Sequence, residues 1–219
     1  MKPGKSPLAI FDDLKYIGDI MPEFLPIDAR QDYKHAISFL KSYRNSSGTF
    51  NSYRREIEKL LQWTWFVANK TLKDLRRDDI ESFIRFTKAP PKSWIGIKKA
   101  TRFIEVSGER IPNPQWRPFV LTMSKAAHRS GEKVNVKDFE LSTGSIKGSF
   151  AILGSFYNYL LQENYAQINP VVLIRQKSKF IRKNQGKTKI RRLSELQWQY
   201  IIRTAATMAE VDPARHERS

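Results

Sequence analysis

The chain has 219 residues, 40% hydrophobic and 12% aromatic, enough to bury a real core and too apolar for a disordered chain. Lys and Arg total 39 against 22 Asp and Glu, a net charge of +17 that predicts a polyanionic partner. No stretch approaches the roughly 20 apolar residues of a membrane span, the start does not read as a secretory leader, and the lack of cysteine excludes disulfides and thiolate metal sites and fits a reducing cytoplasm.

Residues 1–27 carry Pro3, Pro7, Pro22 and Pro26 and read as an extended or irregular arm, with one short helix around 11–17. Asp28 reads as an N-cap, and Tyr33, Ala36, Ile37 and Leu40 behind it form a helical stripe. Asn45-Ser46-Ser47-Gly48 breaks that helix. Thr49 then caps a second one, whose stripe is Phe50, Tyr53, Ile57, Leu60, Leu61 and Trp65; of Trp63, Trp65 and Phe66, at least two must be core. A third helix starts at Asp78 or Asp79, faces Ile80, Phe83 and Ile84 inward, and stops at Pro90-Pro91.

Residues 89–141 do not fit one helix. Arg102 to Val106 and Glu109 to Ile111 flank Ser107-Gly108, which predicts a hairpin with a tight turn; a short helix over 118–130 and a loop follow. Ser142-Thr143 opens the longest predicted helix, with Ile146, Phe150, Leu153, Tyr157, Leu160 and Leu161 on its apolar stripe, and Asn169-Pro170 follows its end. Between 175 and 192 there are nine basic residues and no acid: Arg175, Lys177, Lys179, Arg182, Lys183, Lys187, Lys189, Arg191 and Arg192. Ser194 with Gln197 makes a capping box for a last helix over 195–209. So short a final segment has no core of its own, which reads as a truncated domain.

Two segments carry a family resemblance. Thr49-Phe50-Asn51-Ser52-Tyr53-Arg54-Arg55-Glu56-Ile57 with Leu60, Trp63 and Trp65, followed by the 72–84 segment, resembles the second and third helices of the core-binding domain of tyrosine recombinases, the phage integrase family. The 142–161 helix, Asn169-Pro170, the basic linker and the Leu-Ser-Glu-Leu helix resemble that family's passage into its catalytic domain. The resemblance implies an all-α, SAM-like core-binding bundle over 28–174, interrupted by an insertion at 89–141 of about fifty residues where the family has a short turn. It implies a basic interdomain linker at 175–192 and the first helix of a truncated catalytic domain at 193–219. The family cleaves DNA with a Tyr nucleophile, two Arg, a Lys and a His-x-x-Arg motif, without ATP or a required metal. None of these positions can be assigned here; His216-Glu217-Arg218 has the wrong spacing.

What remains is binding of double-stranded DNA, with no cofactor. At the second helix the candidate contacts are Thr49, Asn51, Ser52, Arg54 and Arg55, where backbone N–H groups suit phosphate and Arg and Asn reach base edges. At the 142 helix they are Ser142, Thr143, Ser145 and Lys147, with Ser149 on the same polar side and Gly144 and Gly148 open to close approach. The nine linker cations complete the set. Trp94 and Trp116, interleaved with Lys92, Lys98, Lys99, Arg102, Arg110 and Arg117, read as core first and as a stacking surface second. His35, His128 and His216 are too scattered for a metal site. The resemblance implies that the whole protein forms a tetramer on paired sites and that this fragment alone is monomeric. A non-enzymatic DNA-binding regulator or architectural protein is the alternative; an RNA- or membrane-surface-binding protein ranks third.

Overall fold

The computed structural model describes residues 6–18, 21–26, 28–121, 135–136, 139–175, 180 and 194–211. The chain divides into two units, residues 1–182 and 183–219. Among the described residues the protein is mainly α-helical, and no helix is long and apolar enough to cross a membrane.

Helix α1 spans Ala29–Lys41 and buries Tyr33, Ala36, Phe39 and Leu40, the predicted stripe with Phe39 replacing Ile37 as its third member. Asp28 stands at the N-cap, but its side chain makes no cap bond. The predicted breaker becomes a turn ending at Ser46, and α2 runs Ser47–Phe66, three residues ahead of the predicted start. Thr49 is therefore inside the first turn, and the N-cap is Ser46.

Helix α2 is not the amphipathic helix its apolar spacing predicts. Every residue from Glu56 to Trp65 is buried, including Glu58, Lys59, Gln62 and Thr64. A helix covered on all sides lies at the centre of its domain. Trp63 and Trp65 belong to the core as expected. The side that reads as polar is covered by the N-terminal segment, which is strapped down rather than extended. Ala9, Ile10 and Phe11 are buried, and the backbone N–H groups of Ile10 and Phe11 donate to Glu58 at 2.6 and 3.3 Å. Gln62 Nε2 donates to the Leu8 carbonyl at 2.7 Å. Residues 14–18 form turns where a short helix was expected.

Helix α3, Arg77–Lys88, buries Ile80, Phe83 and Ile84 as the pattern predicts, and the Asp79 carboxylate accepts the Arg76 N–H at 2.8 Å. Beyond it lies a small second core of Trp94, Ile95 and Phe119. Strands β1 (Ile95–Gly96) and β4 (Phe119–Val120) pair in parallel there, so the helix predicted to start at 118 begins instead as a strand. Most of its predicted length lies outside the described residues.

Strands β2 (Phe103–Val106) and β3 (Glu109–Pro112) form the predicted antiparallel hairpin. Ser107 and Gly108 have φ of 53° and 81°, the double left-handed conformation that matches strand twist in a two-residue turn. Charge attaches this hairpin to the helical body. Arg102 pairs with the buried Glu58, and Arg110 makes two bonds to Asp12, at 2.6 and 2.7 Å.

Helix α4, Thr143–Gln162, closes the core with Ile146, Phe150, Leu153, Phe156, Tyr157 and Leu160. The Asn169 amide pins the following turn: it donates to Gly154 O and Asn158 Oδ1 and accepts from the Val171 and Val172 N–H groups. One buried carboxylate ties α1 to α2 and to the segments that follow α2 and α4. Asp32 of α1 accepts from Trp65 Nε1 of α2 at 2.7 Å, from the Leu72 N–H at 3.1 Å, and from the Tyr165 hydroxyl beyond α4 at 2.6 Å.

In the second unit, α5 spans Glu195–Val211. Its capping box forms as predicted, with Ser194 N donating to Gln197 Oε1 at 3.0 Å and Gln197 N to Ser194 Oγ at 3.2 Å. Trp198, Ile201, Ile202 and Met208 form an exposed apolar stripe.

Candidate nucleic-acid interface

Ser142 lies at the N-cap of α4, and its hydroxyl accepts the Ser145 N–H at 3.1 Å. One of the helix's orphan donors is thereby satisfied, and the others remain at the positive end of the helix dipole. Gly144, Ser145 and Lys147 are exposed, and Thr143 is half-buried. A Cβ added at Gly148 would meet no atom within 4 Å, and one at Gly144 only the Ser142 hydroxyl at 3.9 Å. This face is open to solvent, so another backbone can approach it. A cavity of about 220 Å³ adjoins the first turn, lined by Lys88 of α3 with Thr143, Ile146 and Phe180.

Ser149 departs from the expectation that it lies on the polar side. It is buried, with its hydroxyl 2.7 Å from Glu56 Oε2 and 3.0 Å from the Ser145 carbonyl. The other oxygen of Glu56 accepts from Arg55 Nε at 2.9 Å and from Lys59 Nζ at 3.0 Å. Burial pushes the Glu56 carboxyl upward, but the Lys59 charge and the bonds from Arg55, Ser149 and Lys59 outweigh it, and the net shift is down. Burial lowers the Lys59 ammonium, and the Glu56 carboxylate opposes that shift. The Arg55 side chain is 56% exposed. A continuous set of bonds therefore runs from exposed Arg55 through Glu56 and Ser149 to the first turn of α4. It joins parts of both predicted contact regions.

At the start of α2 the expected contact residues divide between exposed and buried positions. Thr49, half-buried, accepts from the Ser46 hydroxyl at 2.8 Å, and Ser52 is half-buried. Asn51 is exposed, but its side-chain oxygen accepts from Arg54 at 2.7 Å. Arg54 requires a correction. It is only 6% exposed, and it donates to the Asp12 carbonyl at 2.6 Å and to the Asp13 carboxylate at 2.8 Å. Its guanidinium fastens the N-terminal segment to α2 and is not available to a phosphate. The sequence places Arg54 and Arg55 side by side, but successive helical positions point about 100° apart. One faces the strap and the other faces solvent.

Of the nine linker cations, Arg175 is exposed; Lys177, Lys179, Arg182, Lys183, Lys187, Lys189, Arg191 and Arg192 lie outside the described residues. Trp94 and Trp116 are buried and offer no stacking platform. Arg102 is committed to Glu58 and lies over the Trp116 ring at 4.9 Å, while Arg110 is committed to Asp12 and lies over Tyr16 at 4.3 Å. Lys92, Lys98 and Lys99 are exposed. His35 stacks on Tyr165 at 4.2 Å, and no cluster able to hold a metal occurs among the described residues. His128 and His216 lie outside them.

Sequence reasoning missed Glu56 and Lys59. The available signal was a Glu-x-x-Lys pair just ahead of the apolar Leu60-Leu61 and Trp63-x-Trp65 positions. Comparison with protein-family models, with curated proteins and with solved structures found no match in any of the three.

Proposed function

We propose that this chain is the DNA-gripping part of a tyrosine-type site-specific recombinase, an integrase of a phage or mobile element acting in the cytoplasm. In this reading residues 28–174 are a SAM-like core-binding domain with an insertion at 89–141. Residues 175–192 are a cationic strap along the duplex, and α5 opens the catalytic domain. The cleaving residues then belong to sequence other than these 219 residues, and this chain alone binds DNA as a monomer without cutting it. The whole recombinase would assemble as a tetramer on paired sites.

The observation that carries the reading is the bonded cluster that sets exposed Arg55 beside the open first turn of α4, on a chain of charge +17. A cation next to a helix N-terminus suits a phosphate, and an unobstructed glycine face lets the DNA backbone approach. The order of helix, Asn-Pro exit, basic linker and capped helix also supports it.

Salt titration of binding to duplex DNA tests it. With about five phosphates contacted, log affinity falls against log salt with a slope of roughly −4 to −5. Competing RNA and anionic vesicles should displace duplex DNA poorly. A flat salt response, or tighter binding to either competitor, overturns the proposal.

A further inference from the structure

Arg55 differs from an ordinary surface arginine in how it is held. Its Nε is bonded to Glu56, while among the described residues no bond is formed by its two terminal nitrogens. Glu56 is itself immobilised, since it is 6% exposed and anchored by Lys59 from its own helix and Ser149 from α4. Lys59 in turn is buried and lies 5.1 Å from the Phe119 ring centroid. The guanidinium is rigid and planar, so one fixed Nε bond sets the plane in which the remaining donors point. A free arginine would lose rotamer entropy on binding, and one already held loses less.

We propose that Glu56 is a positioning residue: through Nε it fixes the Arg55 guanidinium so that its two terminal nitrogens form an outward fork for one phosphate of the duplex backbone. This inference rests on the DNA-binding reading above. Glu56 touches no DNA itself. Lys59 cancels its charge inside the protein, so Arg55 keeps its full positive charge for the phosphate.

The test uses the full chain and a mixed-sequence duplex of about 30 base pairs, three helical turns. Glu56→Leu combined with Lys59→Met removes the buried pair without changing net charge, a replacement that proteins often tolerate. The Arg55 Nε–H signal in a nitrogen-proton NMR spectrum should be present in the wild type and lost to solvent exchange in the double variant. Affinity at fixed salt should fall about tenfold, with the salt slope retained because the Arg55 charge remains. Arg55→Lys, which keeps the charge but has no fork, should lose a similar factor, and it carries the test should the double variant fail to fold.

Double-variant or Arg55→Lys affinity within about twofold of wild type overturns the positioning role. The two claims fail separately. A flat wild-type salt slope defeats DNA binding itself. A steep slope with Arg55→Ala binding normally defeats only this inference.

Discussion

The cluster around Asp32 and the cluster around Glu56 each bury a carboxylate where α2 meets another helix, but their partners differ in kind. Asp32 is held by neutral donors: an indole N–H, a backbone N–H and a phenol. Among the described residues no cation pairs with it, and burial pushes its carboxyl upward against the opposing hydrogen bonds. Glu56 has a buried lysine beside it and an arginine leading out to solvent. A carboxylate held by neutral donors can only fasten helices together. One matched by a lysine can fasten helices and also hold a second cation at the surface. The first cluster is a structural staple, and the second supports the candidate interface.

The largest effect expected from this contrast is on stability. Asp32→Ala leaves the Trp65 N–H, the Leu72 N–H and the Tyr165 hydroxyl without their acceptor. Unfolding free energy should fall by about 3 kcal/mol or more, measured by urea denaturation. DNA affinity of the protein that remains folded should not change. A loss below about 1 kcal/mol would mean that water replaces the carboxylate easily and that the staple is weak.

The second effect concerns pH. The folded-state pKa of Asp32 is raised above its ordinary 3.8, so the native protein holds this proton more tightly than the unfolded chain. Its contribution is therefore greatest in acid and declines as pH rises through the folded value. Glu56 is lowered below its ordinary 4.5, so its contribution is complete above that value and is lost as pH falls through the folded one. The stability gap between wild type and Asp32→Asn should shrink as pH rises, and the gap for Glu56→Gln should grow. Denaturation series across the acid range check both signs, and parallel trends would erase the distinction between the clusters.

The two clusters also differ in how far sequence reveals them. The helices α1, α3 and α4 were legible because their buried residues recur every three or four positions. The hairpin was legible because Ser107-Gly108 separates two short β-type runs, and the α5 cap because Ser194 and Gln197 stand three apart. At α2 the period marks the apolar stripe, with Phe50, Ile57, Leu60, Leu61 and Trp65 buried as expected, but it does not show that the polar side from Glu56 to Thr64 is covered as well. Covering its charged positions depends on Glu58 receiving the arm and Arg102 from 44 residues or more away, which no local pattern records. The same blindness misassigned Arg54. As a basic residue near a helix start it resembles its neighbour Arg55, and only the arm folding back separates them. The parallel pair β1 and β4 was invisible because two-residue strands carry no period at all. Of the candidate interface, the sequence pointed to Arg55, Ser142, Ser145 and Lys147, all of them exposed, but not to the buried Glu56–Ser149 bond between α2 and α4.

The smallest effect sharpens the comparison at the surface above the Glu56 cluster. Gly148 sits within α4, where glycine costs helix stability and an added Cβ meets no atom within 4 Å. Gly148→Ala should therefore stabilise the protein by about 0.5–1 kcal/mol, because the unfolded chain loses freedom and the folded one gains no clash. If DNA lies close over this face, the methyl group occupies space that the sugar-phosphate backbone needs, and affinity should fall even as stability rises. Those opposite signs separate a binding face from an idle one. Denaturation and duplex titration on one preparation measure both, and a variant that is more stable and binds equally well would remove Gly148 from the interface.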